Sequence, residues 1–141
     1  MKVLALTIVI WAASAISGCT SAPTAKTDAP PGTAVKTGVS EMSPAEARAG
    51  TEAAYSQFVD VRTSDEYASG HAYRAINMPL DTLAQNLGRL EKNEPVYLIC
   101  RTQNRSSQAA KILADAGFQR VVVIKGGMNE WEAAAMPMAS N

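Results

Sequence analysis

The chain is poor in the residues that staple small exported domains and in those that build metal sites: its 141 residues hold two cysteines and one histidine. Two cysteines cannot make a disulfide framework, and a lone histidine without a second ligand makes no metal centre. Charge of one sign is missing as well, since 13 basic side chains face 13 acidic ones and no block of Lys or Arg occurs. Nucleic-acid binding needs a basic footprint, so no nucleic-acid partner is expected. Nor is any apolar run long enough for a membrane span: Val3 to Ile16 falls short of the roughly 20 residues such a helix needs. No internal repeat is present, which sets aside a solenoid. What remains, 47% hydrophobic and 18% charged, fits one globular domain with extensions.

Met1-Lys2 followed by the short apolar run reads as an export signal. Its end, Ile16-Ser17-Gly18-Cys19, resembles the bacterial lipobox, which implies cleavage before Cys19 and lipidation of that residue. Ordinary cleavage after Ala13-Ser14-Ala15 is the competing reading; the lipobox is preferred because it also explains the cysteine. On this reading 1–18 is a lipoprotein signal peptide and 19–38 a lipidated cysteine with a flexible Ala/Pro/Thr-rich tether. Residues 39–141 form the folded domain. The expected location is the cell envelope, facing the periplasm through a lipid anchor, and Thr20 after the cysteine points by analogy to the outer membrane. Acylation of Cys19 would leave Cys100 as the one free thiol, which is either buried and inert or exposed and reactive.

From Val39 onward short apolar strands alternate with helical segments, the pattern of an α/β domain with a central, mainly parallel sheet flanked by helices. Strands are expected at 39–42, 58–61, 75–78, 96–99 and 120–124. Ser43-Pro44-Ala45-Glu46 reads as a capping box, Ser64 to Tyr67 as the start of a short helix, and Asp81 as the cap of a helix carrying Leu83, Leu87 and Leu90. Ser106 to Ala116 is expected to be helical, with Ala109, Ile112, Leu113 and Ala116 inward. Gly126-Gly127 turns into a last helix around Trp131.

Cys100 thus ends a buried strand ahead of a helix, where open α/β sheets bind ligands. The first N–H groups of that helix lack internal partners and favour an anion or a thiolate. Arg101 and Arg105 add positive charge, although residues 38–141 carry 10 basic and 12 acidic side chains. A competent nucleophile is expected.

Cys100-Arg101-Thr102-Gln103-Asn104-Arg105-Ser106 resembles the active loop of rhodanese domains, often written Cys-Arg-x-Gly-x-Arg-Ser. Phe58 to Arg62, Glu66-Tyr67 with Gly70-His71, Ala75 to Leu80, and Lys125-Gly126-Gly127 with Glu130-Trp131 match further stretches in the same order. The resemblance covers about Val39 to Pro137. It implies a sulfurtransferase in which Cys100 takes a sulfane sulfur from a small anionic donor such as thiosulfate and passes it to a thiol or cyanide-like acceptor. Arg101, Thr102, Gln103, Asn104, Arg105 and Ser106 would bind the donor, and neither metal nor organic cofactor is implied. Cysteine phosphatases place their arginine six positions after the cysteine; here it is the fifth, which resembles the sulfur-handling loop.

The alternative is a non-catalytic binding or redox-sensing module of the same fold. Gln103 stands where many relatives have Gly, so strain is expected if that position needs positive φ. Ala72-Tyr73-Arg74 replaces the usual Ile-Pro-Gly. His71 is expected to be structural, Asp60 with Arg62 a fold-stabilising pair, and Tyr67 and Trp131 core anchors.

Overall fold

The structure, a computed structural model, describes residues 38–140. The signal, the Cys19 lipidation site and nearly all of the tether expected from the sequence lie outside them. Five strands, β1 (Gly38–Met42), β2 (Gln57–Asp60), β4 (Ile76–Asn77), β5 (Val96–Ile99) and β6 (Arg120–Ile124), form one sheet in the order β1-β6-β5-β2-β4. All its pairings are parallel. Helices α1 (Pro44–Glu52), α2 (Ser64–Ala68), α3 (Leu80–Asn86), α4 (Asn104–Asp115) and α5 (Gly127–Ala133) supply the connections and cover the sheet.

Alternation along the strands builds two cores. Val59, Val96, Leu98, Val121 and Val123 face one way, against Leu83 and the Ala109/Leu113 side of α4. Phe58, Tyr97, Ile99, Val122 and Ile124 face the other, against Ala47, Met128 and Trp131. Every residue of β5 is buried, as a central parallel strand covered on both faces requires.

The Ser43/Glu46 capping box forms in both directions. A second box was not anticipated: Thr63, rather than a residue inside the segment, caps α2, with Glu66 reaching back to it. Asp81 is no cap; it lies in the first turn of α3, whose N-cap is Pro79 and has no side-chain bond. Helix α4 begins two residues earlier than expected, at Asn104, because Gln103 already takes the N-cap place. The expected Asn77-containing strand shortens to two residues. A two-stranded antiparallel pair, β3 (His71–Ala72) with β7 (Met138–Ala139), is also present. Among the described residues no helix is long and apolar enough to cross a membrane.

Candidate active site

Because the strands run parallel, the C-terminal ends of β2, β5 and β6 share one edge, and Cys100, Asp60 and the Gly126 turn gather there. Cys100 follows β5 directly and is 1% exposed. Its sulfur accepts the Gln103 N–H at 3.2 Å and lies 3.4 Å from Ser106 Oγ. That hydroxyl also donates to the Gln103 carbonyl at 2.8 Å. A hydroxyl has one proton, so while it serves the carbonyl it can only accept from a neutral thiol; toward a thiolate it would have to turn and donate.

The loop is gripped from outside by α5. Met128 N–H donates to the Cys100 carbonyl at 2.7 Å and Asn129 N–H to the Arg101 carbonyl at 3.2 Å. Gly127, at φ +60, makes this approach possible: a Cβ there would sit 2.2 Å from the Cys100 oxygen. On the inner side, the N–H groups of Asn104, Arg105 and Ser106 open helix α4 and have no partner within it.

The two arginines of the loop have different surroundings. Arg105 makes a forked pair with Glu66, Nη1 to Oε2 at 2.7 Å and Nη2 to Oε1 at 2.8 Å. The hydrogen bond from Arg105 is the main reason the Glu66 carboxyl is held down to about 2, with its bonds to Thr63 adding to the effect. Glu66 in turn raises the Arg105 guanidinium through that hydrogen bond, with smaller contributions from the charges of Glu66 and Cys100. Arg101 is exposed and makes no ion pair among the described residues. It is the loop's open cation, whereas Nη1 and Nη2 of Arg105 each donate to Glu66. Thr102 and Asn104 are exposed, Gln103 and Arg105 half-buried, Ser106 buried.

Beside the loop opens a pocket of about 310 Å³, lined among others by Arg62, Glu66, Arg101, Met128, Asn129 and Glu132. Cys100 is not part of its lining, so the pocket adjoins the loop through Arg101 rather than exposing the sulfur. Arg62 is fixed there by a buried fork to Asp60, Nε to Oδ1 at 3.0 Å and Nη2 to Oδ2 at 2.7 Å, and by a bond to the Gly70 carbonyl. This is the pair expected from sequence at a strand end that could approach the active loop, and Arg62 lines the pocket together with Arg101. His71 stacks on Tyr67 at 3.7 Å and its Nδ1 meets the Tyr67 carbonyl, a packing role. Among the described residues no group of His, Cys, Asp or Glu could hold a metal ion. Sequence reasoning passed over Glu66 as a site residue; its position at the third residue of a capping box was the visible signal, and its reach to Arg105 was not.

Comparison with known proteins fits this geometry. Residues 43–134 match the Rhodanese-like domain family. The chain is 37% identical over 75 residues to the protein YqhL of Bacillus subtilis, covering 53% of this chain and 60% of that one, which is less than two thirds of its length. It is 31% identical over 98 residues to the thiosulfate sulfurtransferase GlpE of Actinobacillus pleuropneumoniae, covering 70% of this chain and 91% of that one. The crystal structure of the Alr3790 protein from Anabaena superposes with a TM-score of 0.66 at 28% identity, over 71% of this chain and 82% of that one. With the family match spanning most of the described domain, and the thiol, its loop and the parallel sheet in place beneath it, the chain belongs to the rhodanese-like domain family.

Proposed function

We propose that the chain is a sulfurtransferase that carries sulfane sulfur on Cys100. The observation that carries this reading is the Gln103 N–H aimed at Cys100 Sγ at 3.2 Å beside Arg101, which has no ion pair among the described residues. A donor such as thiosulfate would place its oxyanion toward Arg101 and the opening turn of α4. The thiolate of Cys100 then attacks the outer sulfur; the new Sγ–S bond forms as the donor's S–S bond breaks, and sulfite leaves with the electron pair. An acceptor thiolate or cyanide next attacks the terminal sulfur of the persulfide, and the Sγ–S bond breaks to return the Cys100 thiolate. No external oxidant or reductant enters. The nearly closed thiol favours donors whose reacting sulfur is terminal and small.

The same closure supports the second reading, a module that holds a thiol or persulfide for a partner without turnover. One experiment separates them: mass spectrometry of the protein after thiosulfate, then after cyanide, with thiocyanate measured. Catalysis requires one added sulfur on Cys100, its removal by cyanide, and loss of both in Cys100→Ser. Equal thiocyanate release from wild type and variant defeats the catalytic reading, and a persulfide that forms and is never passed on supports the module. The sequence Ile16-Ser17-Gly18-Cys19 further supports placing the domain in the cell envelope, facing the periplasm on a lipid anchor.

A further inference from the structure

Gln103 adopts φ 90°, ψ −26°, a left-handed conformation that suits glycine and costs an ordinary L residue. The same conformation aims its N–H at the sulfur of Cys100. Both ends of its side-chain amide are in use. Nε2 donates to Glu41 Oε1 at 2.7 Å, and Oε1 accepts from the Gly126 N–H at 3.2 Å. Glu41 belongs to β1 and Gly126 follows β6; the two strands pair in register, with Glu41 opposite Val123. Both anchor points therefore belong to one edge of the sheet, and the amide ties the active loop to it.

We propose that Gln103 is a positioning residue: its side-chain brace to Glu41 and Gly126 holds residue 103 in the left-handed conformation and so keeps the N–H on the Cys100 sulfur. A glycine takes this conformation without help, so the contribution of Glu41 is conditional on Gln103. The proposal deepens the sulfurtransferase reading, but its test does not depend on sulfur transfer.

The experiment is a double-mutant cycle on the full chain, with wild type, Glu41→Ala, Gln103→Gly and the double variant. Alkylation of Cys100 by iodoacetamide, read at the Cys100 peptide by mass spectrometry across a pH series, reports the thiolate. In the Gln103 background, Glu41→Ala should move the midpoint of the pH profile upward and slow alkylation at neutral pH on the order of threefold to tenfold. In the Gln103→Gly background the same substitution should change the rate by less than about 1.5-fold. Equal effects in both backgrounds, or none in the first, overturn the brace. So does a lowered melting temperature with an unmoved pH profile, which would make the contact merely structural. A chain that never passes sulfur on would defeat the function proposed above and leave this cycle intact.

Discussion

At the scale of single residues, the site depends on how closely backbone can approach backbone. Gly127 lets α5 bring two N–H groups onto the Cys100 and Arg101 carbonyls, and an added Cβ would meet the Cys100 oxygen at 2.2 Å and the Arg101 carbonyl carbon at 2.8 Å. Neither obstacle is the tip of a flexible side chain, so the helix itself would have to retreat. Gly127→Ala is therefore expected to destabilise the protein by about 2 kcal/mol, from overpacking and an unfavourable φ together. It should also slow sulfur transfer at least about tenfold by shifting the loop. Urea unfolding and thiosulfate turnover measure the two effects, and an unchanged unfolding midpoint would contradict the account. The charged residues add a division of labour: Arg105 directs its fork to Glu66, which leaves Arg101 as the loop's cation without an ion pair among the described residues.

Between elements, the Glu66–Arg105 pair joins the start of α2 to the first turn of α4, across 39 residues of chain. Its consequence is acid sensitivity. The Glu66 carboxyl is held at about 2 in the folded protein, against 4.5 ordinarily, so the unfolded chain takes up the proton first. The pair's contribution is complete above its ordinary value of 4.5 and is lost as pH falls through that value to about 2. With the two side chains 31% and 25% exposed, solvent screening reduces the contribution to about 1–2 kcal/mol. Glu66→Gln should unfold more easily than wild type at about pH 6 and lose that difference by about pH 2, as followed by urea midpoints. A difference constant over this range would remove the pair from the acid response. This contact also marks a boundary of what the sequence makes readable. The Ser43/Glu46 box was visible because its donor and acceptor are three residues apart. The links from Glu66 to Arg105 and from Gln103 to Glu41, 62 residues away, arise only when the sheet brings its edges together. The β3–β7 pair was hidden for a further reason: two-residue strands carry no alternation to detect.

In the whole molecule, the central sheet was legible because β5 and β6 are continuous apolar runs flanked by turn residues, and the Cys100 loop was legible because it is contiguous in sequence. What periodicity does not reveal is the posture of that loop: Gln103 as N-cap with positive φ, and a thiol almost closed over by its own neighbours. Among the described residues no disulfide contributes to stability, since apolar side chains fill both faces of the sheet and Cys100, itself packed in one of the two cores, is free. The proposed anchor at Cys19 lies outside the described residues, and its test is separate from the chemistry of Cys100. If acyl chains hold the protein at the membrane, the near-neutral balance of charge adds little attraction to anionic lipid, and removing them should release it. A chain beginning at Thr20, without the signal segment or the acylated cysteine, is accordingly expected to pass from the detergent phase to the aqueous phase on partitioning, while thiosulfate still adds one sulfur to Cys100. Partitioning of wild type into the aqueous phase, with no lipid adduct on the Cys19 peptide, would dismiss the anchor and leave the chemistry of the domain as it stands.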